Sequence, residues 1–123
     1  MTPTQRALKD LRDFGFTAAV VERFNRFAGQ HGCRQDLFGI ADILAVREGF
    51  GVLFLQVTSG AHHADHLAKI RAEPRLAAVL AAGGRVELWS YRKLCMRNAA
   101  GKRMKVKRYE LRREEITTAA DAA

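Results

Sequence analysis

Leu53-Phe-Leu-Gln56-Val-Thr58-Ser-Gly60 closes an apolar run that begins at Gly51. Five of the first seven residues of that run, Val52 to Leu55 and Val57, suit a buried strand, yet Gln56 and Thr58 interrupt its end. Residues two apart on a strand point to the same face. An amide and a hydroxyl are therefore aimed together, just before Ser59 and Gly60 stop the strand.

Upstream, Gln35 to Val46 reads as another strand, kinked at Gly39, where a bulge is expected. It contains Asp36 and Asp42. Asp42 lies between Ala41 and Ile43, where a carboxylate is costly to bury unless it is paired or holds a cation. The turn Arg47-Glu-Gly49 joins the two strands. A hairpin whose paired residue numbers sum to about 98 sets Asp42 opposite Gln56. A carboxylate and an amide carbonyl form an all-oxygen site, which suits Mg²⁺ or Mn²⁺ with water in the remaining positions.

The other elements follow from periodicity. Ala7, Leu8, Leu11 and Phe14 predict a helix over residues 4–14, with Thr2 or Thr4 as its cap and Gly15 as its stop. Residues 16–27 alternate as a strand, and Ala28 to Gly32 turn the chain. Helices are expected over residues 60–72 and 74–82, then strands over 85–94 and 103–111 around a turn at Asn98 to Gly101. Short connections make the first three strands an antiparallel meander. The helical crossover returns the next strand in parallel. The expected fold is α/β: a mixed sheet with an α-β-β-β-α-β core flanked by helices, and an extra C-terminal strand. Residues 1–116 form one domain in this reading, and 117–123 a frayed tail.

The chain has 123 residues and a net charge of +8. From Arg85 to Arg113, eleven Lys and Arg face only Glu87 and Glu110, so all the excess positive charge lies there. Such a patch suggests a polyanion, and charge alone does not choose between DNA and RNA. Arg92, Lys93, Arg97, Lys102, Arg103, Lys105, Lys107 and Arg108 are the expected phosphate contacts. No run approaches the ~18 apolar residues of a membrane span, and the first residues lack a secretory pattern. Two distant cysteines, Cys33 and Cys95, fit a reduced compartment, so a cytoplasmic protein is expected. Trp89 and Tyr91 share a strand face and suit core packing better than base stacking. His62 and His66 stand i,i+4, with no third protein ligand in view for zinc.

Aspartate in one strand, a turn, then Glu or Gln two residues before lysine at the end of the next strand is the core motif of the PD-(D/E)XK nuclease superfamily. Gly39-Ile-Ala-Asp42-Ile-Leu-Ala with Val52-Leu-Phe-Leu-Gln56-Val-Thr58-Ser resembles its Holliday-junction-resolvase branch. With Asp36-Leu-Phe-Gly39 added, it is still more similar to phage-associated, resolvase-like proteins. The resemblance covers residues 4–94. It implies a restriction-endonuclease-like sheet and magnesium- or manganese-dependent hydrolysis of DNA phosphodiesters, with branched DNA as a candidate substrate and a homodimer as the working form. Asp42 and Gln56 would bind the metal, and Glu22 could reach it from the first strand. Thr58 stands where the family has its lysine. Lys69, on the following helix, is the candidate replacement. Gln5 and Asp10 are weak stand-ins for the acidic residue that the family often carries on its first helix. The alternative is a nucleic-acid-binding module that keeps this fold with a decayed site.

Overall fold

The computed structural model describes residues 1–117; the tail expected beyond that point lies outside the described residues. Helix α1 spans Pro3–Asp13. Thr2 caps it, and Gln5 answers with its side chain on the Thr2 N–H, so two orphan N–H groups of the first turn are satisfied. Strands β1 (Thr17–Val20), β2 (Arg23–Asn25), β3 (Cys33–Gln35), β4 (Ile43–Arg47) and β5 (Gly51–Ser59) follow. A 3₁₀ turn (Gly60–His62) leads into helices α2 (His63–Ala72) and α3 (Leu76–Ala81). Strands β6 (Arg85–Arg97) and β7 (Arg103–Ile116) end the described chain.

Five strands form one mixed sheet in the order β1-β4-β5-β6-β7, while β2 and β3 make a separate two-stranded hairpin. Strands β1, β4 and β5 are antiparallel neighbours. Strand β6 lies parallel to β5, as a crossover through α2 and α3 requires. Ile43 pairs with Leu55 and Leu44 with Phe54, which is the register expected from the turn. Within that turn Phe50 N–H donates to Arg47 O, and Gly49 takes φ 82°, which only glycine adopts without strain.

Two expected strands are broken. The run 16–27 divides after Val20 because the N–H groups of Val21 and Glu22 both turn to the carbonyl of Asp42, ending the ladder. The run 35–46 divides into β3 and β4 around an irregular segment in which Phe38 and Gly39 have φ 57° and 69°. Glycine suits that φ at position 39, where a Cβ would also lie 2.7 Å from Glu73 Oε2 and displace that side chain. Strands β6 and β7 in turn run longer than expected.

Each face of the sheet has its own core. One packs Leu53, Leu55, Val57, Trp89 and Tyr91 against Ala7 and Leu11 of α1. The other packs Val86, Leu88 and Ile40 against Ile70, Leu76 and Val79 of α2 and α3. Trp89 and Tyr91 are therefore core residues. Tyr91 donates its hydroxyl to Asp10 Oδ2 at 2.7 Å, tying α1 to β6; burial and this bond push the phenol well above its usual range. Gln5 thus serves the α1 cap and Asp10 the α1–β6 contact, both on the opposite side of the sheet from α2. No helix among the described residues is long and apolar enough to cross a membrane.

Tyr91→Phe should lower unfolding free energy by about 1.5–3 kcal/mol, the usual worth of a hydrogen bond to a charged group, as read by urea denaturation. Adding Asp10→Ala to that variant should cost little more, because the bond is already gone.

Candidate metal centre

One end of the sheet gathers acidic side chains from three chain segments. Glu22 follows β1, Asp36 follows β3, and Asp42 immediately precedes β4. A ligating oxygen from each lies within 4.8 Å of the others. The sequence pointed to Asp42 and, more weakly, to Glu22. It missed Asp36 as a ligand, although the residue stands in the quoted Asp36-Leu-Phe-Gly39 stretch.

Asp42 is 7% exposed. Its Oδ2 accepts the Val57 N–H at 3.2 Å, whereas its Oδ1 is buried without a hydrogen-bond partner. A buried carboxylate oxygen left unsatisfied costs more than a missing neutral bond. Burial pushes the Asp42 carboxyl up to about 7, and the neighbouring Asp36 and Glu22 charges push the same way, against the Val57 bond. A cation would satisfy the orphan oxygen, and three carboxylates form a hard, all-oxygen donor set. The residues present fit Mg²⁺ or Mn²⁺.

Gln56 is 1% exposed and fully bonded. Its amide nitrogen donates to Asp36 Oδ2 at 2.9 Å and to the Ile40 carbonyl at 2.7 Å. Its oxygen lies 2.6 Å from His66 Nδ1. Since a carbonyl oxygen only accepts, His66 must carry its hydrogen on Nδ1. Burial, then the Lys69 charge, hold the His66 pKa below its usual value. The Gln56 carbonyl oxygen, expected to meet a metal beside Asp42, is instead taken by His66, and the amide nitrogen faces Asp36, so Gln56 orients a carboxylate of the cluster rather than joining it as a ligand. Nothing in the sequence singled out His66 for this contact beyond its place early in the helix after the motif.

Lys69 reaches the same carboxylate from α2, with Nζ 3.6 Å from Asp36 Oδ2 and over half its side chain exposed. Thr58 is buried two residues beyond Gln56, on the same face of β5, and its register partner on β6 is Ser90. His63 stands apart from the centre, buried between Ser90 Oγ at 2.7 Å and Glu114 Oε1 at 2.9 Å. Glu22 accepts from Arg34 Nη1 at 3.2 Å.

The expected phosphate-binding residues sit on a ribbon. Strand β5 pairs with β6 only through Tyr91, so Arg92 to Arg97 run past the sheet and pair with β7 alone. All eight basic residues, from Arg92 to Arg108, are exposed. Arg92 is held by Glu110 at 2.9 Å and Lys107 by Cys95 Sγ at 3.0 Å. Strands β5 and β6 are parallel, so the ribbon leaves the sheet at the end that carries Gln56 and Asp42.

No family model, curated protein or solved structure matches the chain.

Asp42→Asn tests the centre without relying on catalysis. A carboxyl whose folded pKa is raised favours folding in its protonated form. That stability is present below the unfolded value of 3.8 and lost as the pH rises towards about 7. Above that pH, without divalent cations, the variant should be more stable than the native chain by on the order of 1–4 kcal/mol. Mn²⁺ should raise the melting temperature of the native chain and leave that of the variant almost unmoved. Equal shifts in both would remove the metal centre.

Proposed function

We propose that this protein is a divalent-metal-dependent nuclease that hydrolyses DNA phosphodiesters, with a site of the PD-(D/E)XK kind. The observation that carries the reading is the buried, unsatisfied Asp42 oxygen converging with Glu22 and Asp36 at one end of the sheet. The element order supports it. A helix, a three-strand antiparallel meander and a helical crossover to a parallel strand are what the resembling family uses, here with the β2–β3 hairpin inserted after the first strand.

Asp42, Asp36 and Glu22 would hold the cation. When bound, such an ion supplies a more acidic water and stabilises charge on a phosphate oxygen. The chain's own residues do the rest. Gln56 fixes the Asp36 carboxylate through its amide nitrogen, and His66 fixes Gln56. Lys69 brings an ammonium to the edge of the cluster, on the exposed side, where it can meet a phosphate oxygen. Thr58 supplies no charge, so the positive role that the family gives to that strand position falls to the helix. The basic β6–β7 ribbon holds the duplex by its phosphates without reading sequence.

Thr58 in place of lysine is also what a decayed, purely binding module would show. A cleavage assay separates the two. Labelled duplex, junction and single-stranded DNA are incubated with Mg²⁺ or Mn²⁺, beside Asp42→Ala. Cleavage that needs metal and disappears in the variant is expected; binding without cleavage of any substrate would leave only the binding module.

Within an active enzyme, Lys69→Ala should slow cleavage by roughly 10²-fold, as expected for the loss of one preorganised charge, with DNA affinity nearly intact. A normal rate would show that the lysine is only a surface residue. The ribbon makes a separate prediction: Lys105, Lys107 and Arg108 changed together to Ala should weaken DNA binding and lower the slope of log affinity against log salt by up to about 3. An unchanged slope would mark the ribbon as a solvated face.

A further inference from the structure

Between two members of the acidic cluster, Glu22 and Asp36, the chain makes an excursion that the metal centre does not explain. Residues 23–35 read Arg-Phe-Asn-Arg-Phe-Ala-Gly-Gln-His-Gly-Cys-Arg-Gln: three arginines and no acidic residue. They fold as the β2–β3 hairpin, in which Arg23 pairs with Gln35 and Phe24 with Arg34. The hairpin forms no part of the five-stranded sheet. Phe24 is 61% exposed and Phe27 82% exposed. Single exposed apolar residues are ordinary, but two phenyl rings on one short basic hairpin are not.

Local bonds fix the turn that carries these rings. Asn25 Oδ1 accepts the Phe27 N–H at 3.0 Å, and the Ala28 N–H donates to Asn25 O at 3.3 Å. The Phe24 ring lies against Gly32; a Cβ there would stand 2.5 Å from Phe24 Cζ, and the positive φ of 79° also demands glycine. The Arg26 guanidinium sits 4.9 Å from the Phe27 ring centre. Arg23, Phe24, Asn25, Arg26 and Phe27 together line a cleft of about 410 Å³.

We propose that this hairpin docks single-stranded DNA, with Phe24 and Phe27 stacking on unpaired bases and Arg23 and Arg26 meeting the adjoining phosphates. Exposed rings alternating with guanidiniums match a strand in which π-faces alternate with charged phosphates, whatever its sequence. Intact duplex hides its base faces and cannot use the rings. Charge argues against a second copy of the chain as the occupant, because a two-fold contact here would set one basic hairpin without acidic residues against another. The hairpin begins and ends on cluster residues, so a strand held there passes beside Glu22 and Asp36. That last step, which makes DNA with unpaired bases near the cut the preferred substrate, rests on the nuclease reading; the stacking surface does not.

The test uses the whole chain with EDTA, so that nothing is cut. Anisotropy is followed with a labelled dT oligonucleotide of about 15 nucleotides and with a duplex of the same length. The native chain should prefer the single strand. Phe24→Ala with Phe27→Ala should weaken single-strand binding about tenfold or more and leave duplex binding unchanged, which also shows that the variant is folded. Phe27→Trp should retain single-strand binding, and its emission should be quenched by the oligonucleotide, over the constant signal of buried Trp89. The proposal is overturned if the double alanine variant binds single strand as tightly as the native chain, or loses duplex binding equally. It is also overturned if the emission of the Phe27→Trp variant is unmoved at saturation, or if sedimentation shows that the two rings hold a dimer instead. If the chain cuts no DNA yet shows ring-dependent binding, the nuclease reading falls and the hairpin stands; cleavage with no ring dependence gives the reverse.

Discussion

Asp42 ties three strands together with its backbone and side chain at once. Its N–H donates to the Leu55 carbonyl, its own carbonyl accepts from Val21 and Glu22, and its side chain accepts from Val57. The first bond continues the β4–β5 ladder. The second pair ends β1 and turns the chain so that Glu22 comes to the sheet end. The third uses one carboxylate oxygen and leaves the other without a partner. The same residue that closes the sheet therefore creates the local deficit on which the candidate centre depends. A neutral residue there could keep the backbone bonds, but it would not draw a cation.

The β4–β5 hairpin was legible because two local signals agree. Apolar alternation marks both strands, and the turn at Glu48 and Gly49 fixes how they align; the pairing sum of 98 holds from Ile43↔Leu55 to Arg47↔Gly51. The parallel return of β6 followed from the length of the helical crossover. The β2–β3 hairpin was not legible, because alternation runs unbroken from β1 into β2. Only the Asp42 carbonyl, a partner about twenty residues away, breaks the ladder between them. Asp36 escaped for a similar reason. Its position depends on the path of residues 36–41, which is set by Phe38 and Gly39 at positive φ and by the close approach of Gly39 to Glu73. None of these contacts leaves a periodic trace in the sequence.

The chain places opposite charges at one end of the sheet without letting them cancel. Glu22, Asp36 and Asp42 cluster at the β1–β4–β5 edge, while the β6–β7 ribbon carries its arginines and lysines past the sheet beyond the next strand. Adjacent strands lie about 4.8 Å apart, so the ribbon begins roughly 10 Å to the side of the acidic cluster. That separation is about one Debye length at moderate salt. A polyanion can then be attracted by the ribbon without the cluster being neutralised by it. In such a layout phosphate binding and cation binding are separate tasks, carried by different strands.

The lysine is the point at which the chain departs furthest from the family it resembles, and the geometry gives that departure a physical sense. A lysine at position 58 would have to bury its stem on a strand flanked by Ser90, where Thr58 is now enclosed. On α2 the same charge rides a side chain with more than half its surface in solvent, and its partner, Asp36, is already oriented by Gln56. A flexible ammonium loses rotamer entropy when it is fixed, but here it is drawn to a carboxylate that other bonds have immobilised. The helix position therefore avoids the desolvation that a strand lysine would suffer, while keeping the charge 3.6 Å from the acidic cluster. Gln56 then has a second use: by holding Asp36 with its amide nitrogen, it fixes the point on which Lys69 converges.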